Sequence, residues 1–153
     1  MKDFAVFWGC TIQTRFPFIE KSTRMVLESF KLPYKDIDGF TCCPEKSLVN
    51  NVDHGAFVVT AARNVALVDE LGYDLVSPCT GCVSNLATVK GELKANPREK
   101  AEVNGLLKEI GREFTGTASL KHLVPFFHDA VGIHTIKQKM KRDFKGMRIA
   151  LHY

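Results

Sequence analysis

The sequence lacks any apolar run near the 20 residues of a membrane-spanning helix, and it has no charged-then-apolar segment of the secretory type. Its five cysteines are an odd number, which does not suit a framework of paired disulfides. A chain of 153 residues can also bury a core without disulfide staples. These absences argue against a secreted or membrane-spanning protein and favour the cytoplasm, where clustered thiols bind metal or do redox chemistry.

Strong charge of one sign is also missing, because the net charge is only +4. The basic excess is local and lies in residues 137–148, where Phe144 is the single aromatic residue. A nucleic-acid-binding surface would interleave such charges with aromatic residues or set them on a recognition helix. We therefore expect no nucleic-acid partner, and interpret the stretch as a solvated face or a rim that docks an acidic partner.

What the sequence does contain is thiols in three groups: Cys10, then the adjacent Cys42 and Cys43, then Cys79 and Cys82 in a Cys-Thr-Gly-Cys turn. The intervals between the groups match the length of one strand followed by one helix. The thiols therefore recur once per structural unit.

Hydrophobic patterning supports that interpretation. Short apolar runs predict strands, whereas spacing on one helical face predicts helices. The strands are expected at residues 4–9, 34–39 (the weakest) and 73–77, and the helices at 17–31, 55–71, from the 79–82 turn to about 93, near 100–114, and once or twice between 120 and 142. The helix at 17–31 is predicted to use Ile19, Val26 and Phe30 as its apolar face. This alternation predicts an α/β fold, a three-layer domain with a short parallel sheet, helices on both faces and a helical C-terminal part.

In a parallel sheet, ligands bind outside the carboxyl ends of the strands, and all three thiol groups follow predicted strands. Neighbouring strands are about 4.8 Å apart, so the thiols can converge on one site. Thiolates select zinc, Cu(I) or iron–sulfur centres, and a four-coordinate zinc site would leave one cysteine over. Three alternatives remain open here: a structural zinc site, a thioredoxin-like dithiol at Cys79 and Cys82, and separate buried cysteines.

A few other polar residues are weaker candidates. His54 and His152 could approach a substrate, and Arg15 and Lys46 could meet an anionic one, although surface placement is the simpler interpretation. Three asparagines, Asn50, Asn51 and Asn85, lie near the cysteine groups. Helix capping is their simplest role, and a hydrogen bond to a metal-bound sulfur is the more specific hypothesis.

Three motifs occur at these intervals: Phe-Trp-Gly-Cys, Cys-Cys-Pro and Pro-Cys-Thr-Gly-Cys. In these motifs the sequence resembles the cysteine-rich CCG domain found in the B subunit of heterodisulfide reductase from methanogens. The match is strongest over residues 4–92. Related domains occur in succinate dehydrogenase, thiol:fumarate reductase, and glycolate or lactate oxidase subunits. The resemblance carries a specific set of expectations about cofactor, reaction and partners.

The resemblance implies a noncubane [4Fe-4S]-type cluster, in which two smaller iron–sulfur units share atoms. The implied ligands are Cys10, Cys42, Cys43, Cys79 and Cys82. It also implies an oxidoreductase of methanogenesis that reduces the mixed disulfide of coenzyme M and coenzyme B at iron, with electrons arriving through subunits A and C. The alternatives are a zinc-binding assembly module, or an electron-transfer subunit of a succinate, glycolate or lactate oxidoreductase.

The B subunit of the reductase usually carries two CCG motifs in tandem, whereas this chain has one. Residues 147–153 resemble residues 4–8, as an apolar strand ending in an aromatic residue, and Gly-Cys would follow next. We therefore expect residues 1–153 to be a single CCG domain, the first half of a two-domain subunit, with the second half as a partner.

Overall fold

The computed structural model describes residues 2–150. The strands are β1 (Phe4–Val6), β2 (Asp74–Ser77) and β3 (Leu120–His122). The α-helices are α1 (Cys10–Arg15), α2 (Pro17–Ser29), α3 (His54–Glu70), α4 (Thr80–Ala95), α5 (Pro97–Lys108), α6 (Leu123–Phe126) and α7 (Ile133–Lys139). Single π-helical turns occur at Lys46–Asn50 and Phe127–Val131.

The three strands form one parallel sheet with β2 at its centre. Ala5 lies opposite Leu75 in the β1–β2 pair, and Val76 lies opposite Lys121 in the β2–β3 pair. Because every strand runs the same way, the carboxyl ends of all three lie at one edge of the sheet. That edge carries the segments that follow β1 and β2, which contain two of the three cysteine groups.

Side chains of β1 alternate between two cores, and this makes the domain three-layered. Ala5 and Phe7 belong to the larger core with buried residues of α3, α4 and α5. Phe4, Val6 and Trp8 belong to the smaller core, which contains buried residues of α2 and α6. The predicted α/β class with helices on both faces of a short parallel sheet is thereby confirmed.

Five details differ from the sequence-based expectations. The strand predicted at 34–39 is reduced to one parallel bridge, in which Lys35 exchanges backbone hydrogen bonds with residues of β1. An unpredicted helix, α1, begins at Cys10. On α2 the buried residue is Leu27, whereas Val26 is 42% exposed.

The other two differences concern the C-terminal part. β3 lies where a helix was predicted, because its three half-buried residues add to the edge of β2 and have no strong apolar pattern. The strand predicted from 147 is not present in residues 147–150, which are exposed and irregular. The rest of that predicted strand, residues 151–153, lies outside the described residues.

No helix within residues 2–150 combines the length and apolarity needed to cross a membrane.

Candidate functional site

The first cysteine follows directly from the end of β1. Gly9 has φ 72° and ψ 162°, a conformation that is essentially restricted to glycine, and Cys10 then begins α1. The Thr14 hydroxyl donates to the Cys10 carbonyl at 2.8 Å within this short helix. The sharp turn at Gly9 places the Cys10 Sγ 3.7 Å from the Cys42 Sγ, across 32 residues of sequence.

The cysteine pair lies in an irregular loop, residues 41–44, which precedes α3 in the sequence and contacts side chains of both α3 and α4. Asn64 of α3 hydrogen-bonds to the backbone at the start of this loop. Asn85 of α4 donates to the carbonyl at its end at 2.6 Å, and to the Cys43 Sγ at 3.7 Å. A loop without ladder hydrogen bonds is thus held by two buried side chains.

The third group lies at the end of β2 and the start of α4. Cys79 is the residue that caps α4, and its own N–H donates to the Ser77 hydroxyl at 3.1 Å. His122 of β3 donates from Nε2 to the Pro78 carbonyl at 3.2 Å, because its Nδ1 accepts the N–H of Val124. The turn is therefore fixed from behind by the neighbouring strand.

Gly9 and Cys82 bring the first and third groups together. A Cβ atom added to Gly9 would lie 2.7 Å from the Cys82 Sγ, closer than real Cβ contacts allow. Only glycine leaves room for the sulfur at this position. The Gly9-Cys10 motif and the Cys79-Thr-Gly-Cys82 motif are thus in direct contact.

The five free thiols form a chain of neighbours in the order Cys10, Cys42, Cys43, Cys82, Cys79. The sequence-based prediction that thiols far apart in the chain meet at one edge of the sheet is confirmed. Cys43 and Cys82 are 7% and 4% exposed, whereas Cys10 and Cys42 are exposed. The site therefore has a buried middle, at Cys43 and Cys82, and an outer, accessible end at Cys10 and Cys42, while Cys79 is half-buried.

The thiols influence one another's protonation. A hydrogen bond from Cys82 lowers the pKa of Cys43 to about 7, against an opposing effect of burial, and the Asn85 amide adds to the lowering. The same contact raises the pKa of Cys82. Desolvation, followed by the neighbouring Cys10 thiol, raises the pKa of Cys42 to about 12. The hydrogen bonds to Cys43 therefore stabilise its anionic form.

A cleft of about 550 Å³ opens beside the outer end of the thiol chain. Cys10 and Cys42 lie on its wall with the aromatic side chains of Trp8 and Phe40. A small molecule in this cleft would reach the exposed sulfurs directly.

The far side of the cleft is a fixed ionic network. The Arg24 guanidinium lies 4.4 Å from the centre of the Trp8 ring and donates to Asp36, Glu20 and the Tyr34 hydroxyl. Trp8 donates from its indole nitrogen to Asp36 at 2.8 Å. The hydrogen bond to Asp36 is the largest influence on Arg24 and raises its pKa. The network anchors Trp8 two residues before Cys10.

Residues 4–87, more than half of the chain, match the protein family described as the cysteine-rich domain, CCG. The chain belongs to the CCG family. The matched segment contains β1, the 41–44 loop, and the start of α4, so it includes all five cysteines. The resemblance of the three cysteine motifs to the CCG domain is therefore confirmed.

Two curated relatives of this CCG domain are named as oxidoreductase subunits. Over the whole chain it is 34% identical to the B subunit of ferredoxin/F420H2-dependent CoB–CoM heterodisulfide reductase of Methanosarcina acetivorans, of which it covers 51%. Over 99% of the chain it is 26% identical to the membrane anchor subunit of 8-methylmenaquinol:fumarate reductase of Wolinella succinogenes, of which it covers 52%. The chain thus spans about half the length of the curated relatives it matches.

A solved structure shares the fold. The crystal structure of a hypothetical protein from Helicobacter pylori matches the CCG domain with a TM-score of 0.73 at 20% identity, over 84% of this chain and 25% of that one.

The ligand chemistry of the CCG site fits an iron–sulfur cluster. Within residues 2–150, no three Cys, His, Asp or Glu side chains are arranged around one point as ligands of a single metal ion. A cluster contains several metal atoms, so its thiolates need not converge on one point. Five free thiols gathered at one edge of the sheet, with the Cys43 sulfur accepting an amide hydrogen bond, are the kind of ligands that such clusters use.

Of the weaker candidates that lie within residues 2–150, only Asn85 hydrogen-bonds to a cysteine sulfur. His54 contacts Asn50 at 2.6 Å and Glu99 at 3.4 Å, and its ring stacks on Phe57. The helix-capping role expected of Asn50 and Asn51 is wrong, because the Asp53 carboxylate caps α3 by accepting from Ala56 N at 2.9 Å. Arg15 and Lys46 are exposed, and His152 lies outside the described residues.

The sequence analysis did not predict the role of Asn64, or the hydrogen bond from His122 to the Pro78 carbonyl. Asn64 has a sequence signal, since it is an amide in the otherwise apolar face of α3 and is fully buried. His122 has none, because its contact with the Pro78 carbonyl depends on the pairing of β3 with β2.

Proposed function

We propose that this CCG domain holds an iron–sulfur cluster of the noncubane type through Cys10, Cys42, Cys43, Cys79 and Cys82. The observation that carries the proposal is the chain of five neighbouring thiols, with Cys43 and Cys82 buried, Cys79 half-buried, and Cys10 and Cys42 exposed. A tetrahedral zinc site needs four ligands, so it would leave a fifth thiol of this chain without a role. Two iron–sulfur units that share atoms give each of the five a metal to bind.

The residues divide the work of such a site. Cys43 and Cys82 would hold the buried part of the cluster, and Asn85 donates a hydrogen bond to the Cys43 sulfur there. Cys10 and Cys42 leave the outer end open to the cleft, so a small molecule can approach without a rearrangement of the domain. When bound, the cluster would supply electrons at a metal that also has affinity for sulfur.

We infer that the reaction is the reduction of a small-molecule disulfide to two thiols, with two electrons and two protons consumed. The name of the Methanosarcina relative supports this inference, and CoB–CoM heterodisulfide is the substrate that it suggests. The proposed partners are reductase subunits A and C and a second CCG half, since the relatives are about twice as long. We place the complex in the cytoplasm, because free cysteines persist in a reducing compartment.

The second candidate function is electron transfer in a complex that acts on a carboxylate substrate such as fumarate. The name of the Wolinella relative favours it. In that case the domain would pass electrons through the same cluster, and the cleft would not need to admit a disulfide.

Turnover by the native multi-subunit complex separates the two functions. Under anaerobic conditions, oxidation of a reduced viologen dye is followed with CoB–CoM heterodisulfide, and in parallel with fumarate, as acceptor. The proposal predicts dye oxidation with the heterodisulfide and the release of two thiols per disulfide. Oxidation with fumarate and none with the heterodisulfide would assign the second function.

A further inference from the structure

We propose that Asn64 and Asn85 are positioning residues, which hold the Cys42–Cys43 pair in place. Through these cysteines, the two asparagines would also influence the electronic properties of the cluster that the proposed function places at this site. The inference rests on that function for its electronic part only. Its structural part concerns how two helices hold one loop.

Asn64 fixes the start of the loop from α3. This residue is fully buried. Its Oδ1 accepts the Thr41 N–H at 2.9 Å, and its Nδ2 donates to the Cys42 carbonyl at 3.1 Å. One amide thus satisfies both a donor and an acceptor of a backbone stretch that has no strand partner of its own.

Asn85 fixes the end of the loop from α4. It is 7% exposed and lies one helical turn after Cys82. Its Nδ2 donates to the Pro44 carbonyl at 2.6 Å and to the Cys43 Sγ at 3.7 Å. Since α4 also carries Cys79 at its start, Asn85 sets the distance between the second and third thiol groups.

A buried amide without partners would be costly, so these side chains are not simple space fillers. Both asparagines direct their polar atoms at the same four-residue loop, and α3 and α4 pack against each other in the larger core. The loop is therefore held between two rigid elements, and loss of either amide frees one of its ends.

The Asn85 contact with sulfur has a further consequence. An N–H donor stabilises a sulfur that gains negative charge, and so favours the reduced state of a cluster bound through that sulfur. Removal of this donor should lower the reduction potential, which a purely structural loop contact would not do.

The variant Asn85→Leu removes both hydrogen bonds with little change in volume. The chain offers a matched control in Asn104, whose Oδ1 accepts the Phe114 N–H at 2.8 Å and whose Nδ2 donates to the Phe114 carbonyl at 3.1 Å. Asn104→Leu therefore frees another loop from another helix, with no contact to a cysteine. Asn64→Leu is the second test variant, because it removes both the acceptor for the Thr41 N–H and the donor to the Cys42 carbonyl.

The first measurement uses metal-free, reduced protein and needs no cluster. The rate at which the backbone amides of the peptide containing residues 41–44 take up deuterium is followed by mass spectrometry, with far-UV circular dichroism to establish folding. We expect deuterium labelling about tenfold faster in Asn85→Leu, the effect of losing the one hydrogen bond to the Pro44 carbonyl, and an unchanged rate in Asn104→Leu. Equal rates in wild type and in Asn85→Leu would overturn the positioning role. If Asn85→Leu does not fold, the same comparison is made with Asn64→Leu.

The second measurement is the midpoint potential of the anaerobically loaded protein. A lower potential in Asn85→Leu than in wild type and Asn104→Leu is expected, and an unchanged potential would overturn the electronic role. A wild-type protein that takes up no iron would refute the proposed function instead. The labelling result on metal-free protein would still decide the structural part.

Discussion

Substitution of Gly9 by alanine tests the contact between the first and third cysteine groups. Two separate effects act at this position. Gly9 has a positive φ of 72° with an extended ψ, and a non-glycine residue in that region costs about 1–3 kcal/mol. The new Cβ would also lie 2.7 Å from the Cys82 Sγ.

The sulfur contact adds its own cost. Non-bonded heavy atoms prefer about 3.5–4.0 Å, so the sulfur must move by about 1 Å. Cys82 is only 4% exposed, and forcing an extra atom into a packed core costs about 1–3 kcal/mol. Together the two effects predict a loss of about 2–6 kcal/mol, against the 5–15 kcal/mol or so of an ordinary domain.

The control is Gly72→Ala. Gly72 has a similar φ of 68°, but an added Cβ meets nothing within 4 Å. It should lose only the backbone contribution, about 1–2 kcal/mol. Urea unfolding of the reduced, metal-free proteins gives both free energies, and iron content per chain is measured after anaerobic loading. Equal losses in the two variants, with full iron content in Gly9→Ala, would refute the contact between Gly9 and the Cys82 sulfur.

Three other contacts can be tested in the same way. Cys43→Ser should lower the iron content per chain, and an intact cluster in this variant would mean that five-cysteine coordination is wrong. Asp69→Ala should cost about 2–4 kcal/mol in thermal unfolding, because this carboxylate accepts four hydrogen bonds from residues 115–118; a loss below about 0.5 kcal/mol, typical of a surface site, would contradict it. Burial alone would raise the pKa of Asp36, but hydrogen bonds from Arg24 and Trp8 outweigh it and hold this pKa below 3.8. The stability from this pair is therefore present above about pH 4 and lost as the pH falls below that value. The stability difference between wild type and Arg24→Met should shrink on acidification, and a difference independent of pH would contradict this.

Long, regular patterns made the central part of the fold predictable. The apolar face of α3 and the apolar runs at β1 and β2 correspond to buried elements in the structure. Their order was enough to place the cysteine groups at one edge of a parallel sheet. Topology explains the placement of Cys10 and of the Cys79–Cys82 turn, which follow β1 and β2. The Cys42–Cys43 loop follows no regular strand and is held there by Asn64 and Asn85.

Short elements and buried polar contacts could not be predicted in the same way. β3 is only three residues long and half-buried, and it is a strand because β2 offers it an edge. The segment around Lys35 pairs with β1 at a single residue, so it does not form a regular strand. The apolar face of α3 marks Asn64 as a buried amide, but the loop that it holds does not follow from that pattern.

Anaerobic metal analysis of this chain, combined with visible and electron paramagnetic resonance spectroscopy, tests the central claim most directly. The account predicts a brown protein with more than two irons per chain, matching inorganic sulfide, and a paramagnetic signal in one redox state. A colourless protein with one zinc per chain and no sulfide, prepared without exposure to air, would contradict it.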